Sequence, residues 1–136
     1  MLIKAEGKEY VLEEAGCYAF EIGEGLEVEG LDFERVSGFM EEGGVLEFEP
    51  AYYDSWCENC EHGKGGKAKS YRFLAFDFYI FTKEGRIVAS SLDKDYQEHG
   101  VLAMEKKGMV DGSLLVEVVL CPNCGEYSIE VLPCDF

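Results

Sequence analysis

Six cysteines stand in the sequence, and four of them share one spacing: Cys57-Glu58-Asn59-Cys60 and Cys121-Pro122-Asn123-Cys124. Two residues between a pair of cysteines let a tight turn aim both sulfurs at one ion. Two such knuckles supply the four thiolates of a closed tetrahedral Zn²⁺ site. A structural zinc held by Cys57, Cys60, Cys121 and Cys124 is therefore expected, with reactive dithiols, disulfides or unrelated buried cysteines as the alternatives. A redox dithiol of the thioredoxin kind wants its knuckle at the start of a helix, where the helix end lowers the thiol pKa. Neither knuckle opens a visible helix. Cys17 and Cys134 lie outside the pairs and read as small buried apolar residues, although Cys134, or His62 two residues after Cys60, could replace a thiolate.

The elements that must position these sulfurs are mostly strands. Leu114 to Leu120 delivers the second knuckle and Tyr127 to Leu132 leaves it, so the pair makes a hairpin with Gly125 as the permissive residue after the last cysteine. A hairpin tip of this kind resembles the zinc-ribbon knuckle, closely at 121–125 and less so at 57–60, where Glu58, Asn59 and Glu61 replace the usual Pro and Gly. Sixty residues separate Cys60 from Cys121, more than a compact ribbon spans. A hairpin at 70–91 and a helix near 100 would fill that interval. The entropy cost of closing a loop grows only as the logarithm of its length, so the insertion is tolerable.

The fold class expected is α+β, mainly an antiparallel sheet with two short helices and the knuckle pair. It is read as a single domain over 1–136, with an acidic N-terminal part at 1–50 and a knuckle-bearing, β-rich part at 51–136. Strands are expected at Glu9–Leu12 and Cys17–Ile22 between Glu-Gly turns. Phe33, Val36 and Met40 recur at helical spacing behind Asp32 and before Gly43-Gly44, which predicts a helix over about 32–42. Val45 to Glu49 alternates as a strand that stops at Pro50, and a loop follows over 51–60. Tyr71 to Phe81 is apolar on both faces and should be a central strand. Lys83-Glu84-Gly85 turns it into Arg86–Ser91. A second helix is expected within Asp95–Lys107.

Charge bounds the partners. The net charge is −16, with sixteen Asp and Glu against three Lys and Arg in residues 1–60. Such a chain repels nucleic acid and anionic membrane at long range. Only the glycine-rich island carrying Lys64, Lys67, Lys69 and Arg72 could touch phosphate. That island could also compensate the net charge of −2 left by four thiolates around Zn²⁺, or it could simply keep a loop soluble. The run Gly63 to Ser70 lacks a P-loop's second glycine and its following helix, so no phosphate cradle is expected. The zinc deaminase signature is absent, because neither His62 nor His99 stands in an H-x-E sequence. A site of four sulfurs keeps no open position for catalysis, so no enzymatic activity is expected.

The Met1–Lys8 start lacks the apolar core of a secretory signal, and the longest apolar run falls short of the roughly 20 residues of a spanning helix. A cytoplasmic protein with no membrane role is expected. The length, the acidic β-rich start, the aromatic strand before Phe81-Thr82-Lys83 and the Cys-Pro-Asn-Cys-Gly near the end resemble a small family of uncharacterised clostridial proteins. That resemblance implies no activity. The function expected from the residues is a zinc-stabilised protein-interaction module using Tyr52, Tyr53 and Trp56 beside the first knuckle. Those rings could equally be packing that covers the metal. A nucleic-acid-associated ribbon using the 64–72 island, a redox or zinc sensor, and an acidic nucleic-acid mimic are the alternatives.

Overall fold

Side-chain alternation writes the fold as strands around one helix. The computed structural model describes residues 1–93, 108 and 110–134. In chain order these form β1 (Leu2–Ala5), β2 (Lys8–Val11), a 3₁₀ turn (Glu14–Gly16), β3 (Cys17–Ile22), α1 (Phe33–Glu42), β4 (Leu46–Glu47), β5 (Glu49–Tyr53), β6 (Tyr71–Lys83), β7 (Arg86–Ser90), β8 (Gly112–Leu120) and β9 (Tyr127–Cys134). A large sheet has the order β3-β9-β8-β6-β5, with β7 also paired to β6, and a small one has the order β2-β1-β4. Pairing is mostly antiparallel; β3 with β9 and β1 with β4 are parallel.

Two expectations about these elements need correction. Among the described residues there is one α-helix and a 3₁₀ turn, not two helices; the second expected helix, within 95–107, lies outside them. Pro50 does not end a strand. It sits inside β5, opposite Leu74 of β6 at the rim of the sheet, where the N–H it lacks faces no neighbouring strand. The stretch expected as a loop from Ala51 therefore runs as strand to Tyr53.

The helix forms as its sequence dictates. Asp32 caps it, its Oδ1 accepting from the Arg35 N–H at 2.8 Å, a contact worth about 1 kcal/mol. Gly44, at φ 76°, turns the chain away after it. Its buried stripe is Val36, Phe39 and Met40; the expected Phe33 is half-buried and meets Phe20 edge-on instead.

The large sheet has two unlike faces. On one, Leu74, Phe78 and Ile80 of β6, Val116 and Val118 of β8, and Ile129 and Val131 of β9 are buried in a single cluster with α1 and with Ile3 and Leu46 of the small sheet. Tyr127 belongs to this cluster, and its hydroxyl donates to the Glu13 carbonyl at 2.9 Å. The other face is patchy. Phe73 is buried at the knuckle end, Phe81 packs with Ala89 and Val110 at the far end, and polar residues lie between.

This topology brings the knuckles together. β6 runs antiparallel to β8, with Leu74 opposite Leu120, so the start of β6 lies beside the end of β8. The loop at 54–70 that joins β5 to β6 and the turn that joins β8 to β9 thus open at the same end of one sheet. Between the knuckles the chain leaves this end along β6 and returns to it along β8. Chain separation therefore imposes no wide loop closure on the site.

Candidate metal centre

Each knuckle folds as a turn closed by its own backbone. The Glu61 N–H donates to the Cys57 carbonyl at 2.7 Å, and the Gly125 N–H donates to the Cys121 carbonyl at 2.8 Å. The residue after each second cysteine is left-handed: Gly125 at φ 75° and Glu61 at φ 53°. Gly125 fits that conformation without strain, whereas Glu61 carries a Cβ into it. The first knuckle departs from the second in sequence while keeping its backbone geometry.

The two turns face each other across the end of the sheet. All four Sγ atoms lie within 4.8 Å of one another. Across the gap, Cys57 and Cys124 are 4.0 Å apart and Cys60 and Cys121 3.7 Å apart. Those are not disulfide distances, and all four residues are thiols. A tetrahedral ion with metal–sulfur bonds of about 2.3 Å needs sulfurs about 3.8 Å apart. The cluster therefore fits a metal ion with four sulfur donors.

A pair of amides crosses between the knuckles. Asn59 Nδ2 of the first donates to Cys124 Sγ of the second at 3.7 Å, and Asn123 Nδ2 of the second donates to Cys60 Sγ of the first at 3.5 Å. Asn59 also donates to the Glu126 carboxylate. Such donors orient ligating sulfurs and spread their negative charge. The amide of Asn123, with the His62 backbone N–H, holds the Cys60 thiol down at about 7. Burial dominates on the inner side, pushing Cys121 up to about 12 and raising Cys57 as well. Phe73, Tyr18, Tyr71 and Val119 form the apolar wall there.

Sequence reasoning named the four sulfurs but missed the two asparagines. The available signal was their identical place, third in both Cys-x-Asn-Cys turns. Cys134 ends β9, the whole strand away from the knuckle at its start, and its carbonyl accepts from Ser113 Oγ at 2.8 Å. Cys17 is half-buried on β3, its Sγ donating to the Ala19 carbonyl at 3.3 Å, and burial raises its pKa. His62 brings its backbone N–H, through Cys60, into the site.

The basic island is partly engaged elsewhere. Lys64 Nζ lies 3.3 Å from Glu61 Oε2 and 5.4 Å from the centre of the Trp56 ring, and Arg72 pairs with Glu6. Lys67 and Lys69 are exposed. The expected aromatic surface is divided. Tyr52 and Tyr53 are neighbours on β5 and so point to opposite faces of the sheet. Tyr53 meets Phe73 edge-on and shares a cavity with Trp56, while Tyr52 is 66% exposed opposite Arg72.

No helix among the described residues is long and apolar enough to cross a membrane. No curated protein and no solved structure matches the chain. A family model described as "Protein of unknown function (DUF3785)" matches residues 1–136, all of the sequence given, and the chain belongs to that family.

Proposed function

We propose that this chain is a small zinc-binding protein in which Cys57, Cys60, Cys121 and Cys124 hold one structural Zn²⁺, and that it acts as a protein-interaction module rather than as an enzyme. The observation that carries the zinc assignment is the four-sulfur cluster, with every Sγ within 4.8 Å of the others. Tetrahedral thiolate sets suit zinc or iron–sulfur chemistry, whereas harder ions prefer oxygen donors. Four protein ligands leave a zinc ion no open position for substrate or water, which argues for a structural role. The ion would tie the loop at 54–70 to the end of the sheet.

The interaction reading rests on Tyr53 and Trp56, which sit beside the first knuckle at the edge of a cavity. Aromatic rings supply much of the contact energy at protein interfaces. Against nucleic acid as the partner stand the net charge of −16 and the pairing of Lys64 and Arg72 with Glu61 and Glu6.

Elemental analysis of untagged protein tests the metal. One zinc per chain is expected, lost in Cys57→Ser and Cys121→Ser; stoichiometric iron, or no metal at all, would refute the assignment. For the interaction, a partner captured from the source cell and identified should bind the wild type and fail to bind Tyr53→Ala/Trp56→Ala that retains its metal. A partner indifferent to both rings would remove this surface from the reading.

A further inference from the structure

A cavity of about 240 Å³ opens on the outer face of the large sheet, directly beside the first knuckle. Its walls join two kinds of group. Tyr18, Tyr53 and Trp56 present rings, and Glu21, Glu58 and Glu130 present carboxylates, while no Lys, Arg or His is among its described lining residues. A fold device opens it: the register of β3 on β9 shifts between Cys17 and Ala19, so that Tyr18 as well as Ala19 reaches the outer face. Ring faces attract cations through their quadrupole. Trp56 already holds the Lys64 ammonium over its ring at 5.4 Å. Aromatic walls with an acidic rim suit a group that has an apolar stem and a cationic head.

The acidic rim continues in a fixed direction. Glu21 of β3 lies opposite Glu130 of β9, Glu130 opposite Glu117 of β8, and Glu117 opposite Asp77 of β6. Four carboxylates therefore stand in one row across four adjacent strands. Strands about 4.8 Å apart give the row a length of about 14 Å. An extended peptide places alternate side chains about 7 Å apart, so three basic residues at every second position match that length.

We propose that this face docks an extended segment of a partner protein carrying lysine or arginine at alternate positions, one basic side chain seated in the aromatic cavity and the next ones along the carboxylate row. Charge complementarity selects this partner: among the described residues the charged groups lining the cavity and its row are all carboxylates, in a chain with a net charge of −16. The inference rests on the interaction reading above and deepens it by naming the partner's chemistry.

The test uses the metal-loaded protein and its only tryptophan, Trp56, as the reporter. A Gly/Ser peptide with lysines at three alternate positions is titrated in at low and moderate salt, with its tri-acetylated form and spermine in parallel arms. The peptide is expected to change Trp56 fluorescence saturably. Acetylation should abolish binding, since it removes charge and keeps the stem. Glu21→Gln/Glu130→Gln should weaken it by about tenfold, the sum of two partly exposed ion pairs. Salt should weaken it further.

Absence of binding, or equal binding of the acetylated peptide, overturns the proposal whether or not the double variant folds. Spermine binding as tightly as the peptide also overturns it, because the site would then take a small polyamine. If the peptide fails while a captured partner still depends on Tyr53 and Trp56, the basic-partner inference falls and the interaction reading stands. If the peptide binds and no partner depends on those rings, the chemistry stands and the reading of a protein module falls.

Discussion

The two knuckles are near copies of each other on different mounts. Both close with an i+4 to i backbone bond, both follow the second cysteine with a left-handed residue, and both send an asparagine to the other's sulfur. Cys121 and Cys124, however, cap a hairpin whose strands pair from Leu120 opposite Tyr127 down to Ser113 opposite Cys134, inside the large sheet. Cys57 and Cys60 ride on the connection at 54–70, which hangs between the rim strand β5 and β6. The sheet preforms one half of the site. The other half hangs on a connection that a bound ion would fix.

Removing the ion should break the resemblance most. Structural zinc contributes an apparent 10 to 16 kcal/mol or so in small zinc domains, so Cys57→Ser and Cys121→Ser should each drop metal content from one equivalent to near zero. Chelation should then act unevenly. Hydrogen exchange is expected to accelerate across 54–70 while amides of β8 and β9 keep their protection. Equal loss in both regions would show that the second hairpin is no more preformed than the loop.

The next effect concerns the crossed amides. Outer donors to metal ligands are worth about 10- to 100-fold in affinity, so Asn59→Ala and Asn123→Ala should each weaken zinc binding by that order in chelator competition. The mounts predict an asymmetry between them. Asn123 stands on the rigid turn and steadies Cys60 of the loop, so its loss should cost more than the loss of Asn59, which acts on a sulfur already fixed by the sheet. A larger effect at Asn59 would reverse the assignment of which half is preformed.

The left-handed residues give a smaller handle. Gly125→Ala puts a Cβ into φ 75° and should cost about 1–2 kcal/mol. Glu61→Gly relieves the same strain at φ 53° and should gain up to about 1 kcal/mol, less than the strain itself because glycine also loosens the unfolded chain. The exposed Glu61–Lys64 pair lost with it is worth little. Opposite signs at these matched positions would sharpen the comparison; the same sign would end it.

What the sequence disclosed about this site follows from the range of the forces involved. Cysteine spacing is legible because two thiolates on one turn are a local matter, as are the Asp32 cap and the Glu84-Gly85 turn between β6 and β7. The meeting of Cys57 with Cys124 depends on β6 lying beside β8, a choice made by many weak apolar contacts spread over both strands. Pro50 misled because its missing N–H ends a strand only where a neighbour would have used it. Tyr52 misled, and Tyr18 was missed, for a related reason: the face a strand residue takes depends on bulges and register, and neither is written at the residue itself. The carboxylate row was invisible on the same grounds, since Glu21, Asp77, Glu117 and Glu130 lie far apart until the register aligns them.

That row tests the mount itself. Glu117 stands on β8, the strand that carries the second knuckle, between Asp77 and Glu130. Burial, followed by those two neighbours, raises its carboxyl above the usual carboxylate range, and burial raises Asp77 likewise. A carboxyl with a raised pKa in the folded state holds its proton more tightly there than in the unfolded chain. The stability this gives is fully present below the unfolded value, about 4, and is lost as pH rises through the folded one. At neutral pH the row therefore opposes folding. Directly opposed like charges on a sheet cost about 0.2–1 kcal/mol, so Glu117→Gln should stabilise the metal-loaded protein at pH 7 by about 0.5 kcal/mol. The gain should fade as pH falls through the raised folded-state value and vanish below about 3, where both carboxyls are protonated in either state. Thermal unfolding at several pH values reads this directly. A gain that persists unchanged at low pH would mean that the glutamine packs better and that charge repulsion does not burden the strand beneath the knuckle.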